Sequence, residues 1–197
     1  MDHGRRTQER AAAAGDPEAA AALLLARVRD GELEREGLEL AAHLGEVAAA
    51  LALGQAAPPP LELEPWLQAL ARWPVEVARR AVYALASLAE DRRPGGAPDP
   101  ELDDMLRDYL RQALPEYRRQ ILRRQLERQT SSRWQQEATK AAASAGPERA
   151  LRVQAAQRAY GLAQLLLGAG VQEEELRAAV RALLLPWALG GPDPLAP

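Results

Sequence analysis

Alanine and leucine supply most of the apolar side chains of this chain, and that choice constrains it to helices. Phenylalanine and cysteine are absent, Ile121 is the sole isoleucine, and the charged residues are Arg and Glu far more than Lys. Ala and Leu are the strongest apolar helix formers, and Glu, Gln and Arg rank among the best polar ones. The β-branched and aromatic residues that fit strands are scarce. Small side chains also let helix axes approach closely. The predicted fold class is all-α, with close-packed helices.

With 197 residues the chain can bury a core without a disulfide or a metal staple. The absence of cysteine excludes thiol chemistry. A net charge of −3 gives no whole-molecule attraction to nucleic acid or to an anionic membrane. The first ten residues are charged and no apolar run follows them, since Gly15-Asp16-Pro17 breaks the alanines at 11–14; a secretory signal is not expected. No uninterrupted apolar run approaches the ~20 residues that span a bilayer. The expectation is a soluble cytoplasmic protein with no membrane contact. Arg in place of Lys, with abundant Ala, points to a GC-rich genome.

Helix punctuation is frequent. Asp16-Pro17-Glu18 combines a capping carboxylate, a proline suited to the first helical position and an acid near the positive end of the dipole. The first helix is predicted to stop at Gly31. A second runs from Leu33 to Leu44 before Gly45, and a third from Glu46 to Leu53 before Gly54. Pro58-Pro59-Pro60 is a stiff spacer. A fourth helix opens at Glu64-Pro65-Trp66 and ends at Trp73; a fifth follows Pro74. Asp99-Pro100-Glu101 starts a sixth, with Leu102, Leu106, Tyr109, Leu110 and Ala113 on one stripe. Further helices are predicted over 116–129, 133–145, 148–168 and from about Gln172 through Pro186-Trp187. The total is about ten antiparallel helices, in a bundle or an irregular stack of helix pairs of the HEAT kind. No strict repeat period is present. The domain plan is a loose N-terminus over 1–14, a single all-α domain over 15–190 with a candidate sub-boundary at 91–98, and a flexible tail over 191–197.

The segment Leu38-Glu39-Leu40-Ala41-Ala42-His43-Leu44-Gly45-Glu46, followed by Ala48 to Leu53, resembles the helix–Gly–helix centre of an ankyrin repeat. More broadly, Gly15 to Ala19, that same segment and Arg181 to Gly190 resemble, in order, anchor sequences of alanine-rich all-helical proteins of GC-rich bacteria, some of them labelled immunity proteins. The resemblance implies a binding role and supplies no catalytic residues.

Three constellations carry candidate chemistry. Asp103-Asp104-Met105-Leu106-Arg107-Asp108 sets Asp104 and Asp108 four apart on a helix, the spacing that holds Mg²⁺–diphosphate in isoprenoid synthases. Against it, Glu173-Glu174-Glu175 is a poor second acidic motif, and acids in a first helical turn are favoured by the dipole alone. From Arg118 to Lys140 there are seven basic side chains against Glu127 and Glu137, with Tyr117 and Trp134 nearby. Arg118, Arg119, Arg123 and Arg124 would lead a nucleic-acid or phosphate surface, although at 100° per residue they form no single stripe. A solvated helix pairing with the acidic helix 99–114 explains the same run. Large rings are common binding anchors: Trp73 and Trp187 are assigned to the core, while Trp66 and Trp134 stay open as partner contacts. His3 and His43, the only histidines, lack helical partners at zinc spacing. No Gly-rich phosphate loop or nucleophile elbow is present.

The sequence therefore favours a non-enzymatic helical module that binds another protein, an adaptor or immunity-type protein, with no cofactor and no metal. Its candidate contacts are Arg118, Arg119, Arg123, Arg124, Trp66 and Trp134. The alternatives are a nucleic-acid-associated helical module using 118–140, and a divergent Mg²⁺-dependent prenyl-transfer enzyme. Oligomeric state and pathway are not legible.

Overall fold

The computed structural model describes residues 12, 15–56, 61–92, 100–111, 120, 121, 124, 133–143 and 146–196. Among these the chain is all-α: nine α-helices and one short 3-10 helix, with no strand. The expected helix over 116–129 lies largely outside the described residues; Gln120, Ile121 and Arg124 within it are helical. No helix among the described residues is long and apolar enough to cross a membrane.

The chain divides into two compact units, Met1–Leu61 with Leu185–Asp193, and Glu62–Leu184 with Pro194–Pro197. One division follows the proline spacer at 58–60 and not the loop sequence at 91–98, which falls inside the second unit. Leu195, in the stretch expected to be a loose tail, is buried.

The first unit holds α1 (Pro17–Arg29), α2 (Arg35–His43) and α3 (Val47–Ala52). Asp16 caps α1 as predicted: its carboxylate accepts from the amides of Glu18 at 3.0 Å and Ala19 at 3.3 Å. Between α2 and α3, Gly45 takes a φ of +91°. Its amide bonds the Ala42 carbonyl, and the Glu46 amide reaches back to Ala41, both at 3.0 Å. This double closure satisfies carbonyls the helix end leaves open, and it favours glycine because a side chain there is strained. It turns the chain so that α3 packs on both α2 and α1. Leu38, Leu40, Ala41, Ala49 and Ala50 are almost fully enclosed.

The second unit is built around α5 (Val75–Asp91). Before it come α4 (Leu63–Gln68) and a 3-10 turn (Ala69–Arg72). The sequence predicts one helix to Trp73; its last turn instead tightens to 3-10 form. Pro74 is the cause, because the residue before a proline avoids helical dihedrals, and Trp73 is extended at φ −95°, ψ 173°. After α5 come α6 (Pro100–Arg111), α7 (Arg133–Ala143), α8 (Glu148–Gly168) and α9 (Glu173–Ala188). The part of α9 through Leu184 belongs to this unit; Leu185 onward, with Trp187, belongs to the first. Pro186 sits inside the helix near its end, where one lost backbone bond is tolerated.

Helix α5 packs along α8 and also meets α6, α7 and the 3-10 turn. Thirteen of its 17 residues are buried, so it has no solvent face of its own. Even Arg79 and Arg80 are enclosed, at 3 % and 2 % exposure. Arg79 Nε donates to the Ala141 carbonyl at 3.0 Å. That carbonyl lies in the last turn of α7, where backbone acceptors are left open and the dipole favours a cation.

Candidate functional site

A concavity with polar lining lies in the second unit. It is a cleft of about 130 Å³ between α5 and α6, with Ala138 of α7 at its edge. Helix α5 contributes Tyr83, Ala86, Ser87, Glu90 and Asp91; α6 contributes Asp103, Leu106 and Arg107. Their spacing explains the assembly. Residues three and four apart share a helix face, so Tyr83, Ser87 and Glu90 line one wall. On α6, Asp103, Leu106, Arg107 and Leu110 follow the same rule, and the burial of Leu106 and Leu110 turns Asp103 and Arg107 toward α5.

At the centre is a closed hydrogen-bonded ring. Tyr83 donates its hydroxyl to Asp103 Oδ1 at 2.6 Å. Arg107 Nε donates to the Tyr83 oxygen at 2.9 Å and stands 2.8 Å from Asp103 Oδ2. Burial, then the hydrogen bond and negative charge of Asp103, push the Tyr83 phenol up to about 12; hydrogen bonds from Ser87 and Arg107 oppose the shift. Tyr83 therefore keeps its proton at neutral pH. The Tyr83 bond also raises Arg107 above its ordinary value, against a smaller opposing effect of burial. Chemically the ring holds protons where they are: the phenol's proton is committed to a carboxylate whose charge is balanced by a guanidinium.

The isoprenoid-type aspartates are placed differently. Asp104 and Asp108 are exposed, and Asp108 pairs within its own helix with Arg111 at 3.5 Å. The inward acid of that string is Asp103. Glu173 pairs with Arg177, whose Nε stands 2.9 Å away, and Glu175 pairs with Arg92. No cluster of three or more His, Asp or Glu side chains suited to a metal occurs among the described residues.

Of the candidate partner contacts, Arg118, Arg119 and Arg123 lie outside the described residues, and Arg124 is exposed. Trp66 is only 3 % exposed, with the Arg177 guanidinium 4.8 Å from its ring centroid. It serves the interior of the second unit and offers no open anchor. Trp134 is half-buried on α7, Trp73 is core and Trp187 is half-buried. Nearby, Glu137 of α7 accepts from Lys140 and from Arg158 of α8, both at 2.8 Å. Burial alone would raise its carboxyl, but the two cations outweigh that and hold it below the usual carboxylate range.

Exposed large apolar side chains occur in both units among the described residues: Ile121 and Val153 stand in the second, while the first carries a group on neighbouring helices. In the first unit Val47 and Leu51 on α3 are 46 % and 38 % exposed, and Leu25 on α1 is 40 % exposed. Val47 and Leu51 are four apart and so share one face of α3. Helix α1 is apolar nearly all round, yet only Ala21 and Leu24 of it are buried. The residues that sequence reasoning missed are Tyr83, Arg79, Arg80 and Glu90 on α5 and the exposed Leu25, Val47 and Leu51. Three further alanines at 48–50 beside Val47 and Leu51 gave a signal: too many apolar positions for one buried face.

Comparison of the chain with protein-family models, with curated proteins and with solved structures finds no match.

Proposed function

We propose that this chain is a non-enzymatic helical module that binds another protein, as a cytoplasmic adaptor or immunity-type protein. The observation that carries this reading is the exposed apolar set of the first unit. Leucines and valines standing singly on a surface are ordinary. Here Val47 and Leu51 stand one turn apart on α3, and Leu25 lies on α1, the helix against which α3 packs. Apolar surface of this kind is a common mark of a docking site. The cleft of the second unit favours the same reading from the other side. Its central polar groups are spent on one another, with Tyr83 held protonated and Asp103 neutralised by Arg107.

The test uses the full chain, co-expressed with the products of neighbouring genes, beside a Val47→Glu/Leu51→Glu variant. Both positions are open to water, so the variant should keep its helical circular dichroism. The expected result is one partner that co-elutes stoichiometrically with the native chain and is lost from the variant. A native chain that elutes alone from every neighbouring product, or that turns over a substrate by itself, overturns the proposal.

A further inference from the structure

The helices of the second unit are attached to it in different ways. Helix α5 buries 13 residues and α8 buries seven, in a contact made mostly of alanine, valine and leucine. Helix α6 buries three among its described side chains: Leu106, Tyr109 and Leu110. It packs on α7 as well as α5, and toward α5 it carries the polar ring of Tyr83, Asp103 and Arg107. Between α6 and α5 the surfaces do not close; the cleft of about 130 Å³ runs beside that ring. Water that enters the cleft can replace protein hydrogen bonds at small net cost. It can offer nothing to an apolar contact such as that between α5 and α8.

We infer that α6 is a flap, latched to α5 by Tyr83, Asp103 and Arg107, which opens as one piece while the α5–α8 pair stays folded. Regions with few buried apolar contacts open locally, well below the cost of global unfolding. Tyr83 is the pivotal residue, because its hydroxyl is the α5 member of the latch and carries two bonds that span the two helices. Opening bares Tyr83 on α5 and the stripe Leu106, Tyr109 and Leu110 on α6, a second apolar surface that the closed form hides. The inference rests on the second unit alone and is independent of the docking surface proposed on the first.

Amide hydrogen exchange on the full chain tests it. In the native chain the amides of 103–111 should exchange together, at least roughly tenfold faster than those of 81–86 in α5 or 155–163 in α8. Tyr83→Phe removes only the hydroxyl. It should speed the α6 group by roughly tenfold to a hundredfold, the range for losing a hydrogen bond to a charged group, and leave α8 within about twofold. Asp103→Asn, on the surface side of the latch, provides a second variant should Tyr83→Phe fail to fold. The inference is overturned if α6 and α5 exchange at one common rate in the native chain. It is equally overturned if the variants accelerate every helix alike, or leave α6 unchanged.

Discussion

Glycine-to-alanine substitutions at two helical positions should change stability in opposite directions. Gly37 lies in α2, and a Cβ built on it would stand 2.3 Å from the Ala188 carbonyl oxygen and 3.4 Å from the carbonyl carbon. A carbon settles against a carbonyl oxygen at about 3.3 Å, so the two backbones would have to part by about 1 Å. Both partners are main chain, which cannot swing aside as a side chain can. Overpacking of this kind costs ~1–3 kcal/mol. Set against it is the gain of replacing a helical glycine, ~0.5–1 kcal/mol. The balance is a net loss of ~1–2 kcal/mol. Gly161 lies inside α8, where a Cβ meets nothing within 4 Å. There only the helical gain acts, and Gly161→Ala should stabilise by ~0.5–1 kcal/mol. Urea and thermal denaturation followed by far-ultraviolet circular dichroism measure both. Each kcal/mol corresponds to about 2–4 °C in a chain of this length. A Gly37→Ala variant as stable as the native chain, or more so, would refute the close approach of α2 to the 188 carbonyl.

Three further outcomes follow from the geometry. Asp16→Ala removes the cap of α1 and should cost about 1 kcal/mol, read from the same denaturation curves. Arg79→Leu leaves the buried Ala141 carbonyl without its 3.0 Å donor and should cost ~1–3 kcal/mol; a neutral result would remove Arg79 as the α7 cap. Glu137 is held below the usual carboxylate range in the folded state by Lys140 and Arg158, despite its burial. Its folded value is the lower one, so its contribution is present above the unfolded value and lost as pH falls through the folded one. Between neutral pH and acid below about 4.5, Glu137→Gln should therefore lose less stability than the native chain; parallel curves would count against the triad.

The all-α class was legible because composition and punctuation agreed. Asp16-Pro17-Glu18 and Gly45 act locally, through bonds to residues at most five positions away, so their effect can be read without knowing the fold. The ring of Tyr83, Asp103 and Arg107 was not legible, because 20 residues separate its first two members and only packing joins the helices that carry them. The spacing of Asp104 and Asp108 suggests a paired-acid site, while the stripe through Leu106 and Leu110 places Asp103 on the inner face. Arg79 and Arg80 were missed for another reason. Charged side chains are expected outside, and a helix enclosed on every side has no outside to give them. The tightened turn before Pro74 shows the limit of reading periodicity without dihedrals.

Trp187 is the only Trp, Tyr or Phe in the first unit; every other Trp and Tyr of the chain belongs to the second. With Trp66, Trp73 and Trp134 replaced by phenylalanine, excitation of the remaining indole would report on one unit alone. Its emission maximum and quenching by iodide would then show whether the first unit melts together with the second, which a backbone signal alone does not distinguish. The scarcity of aromatics makes this fold unusually easy to watch by light.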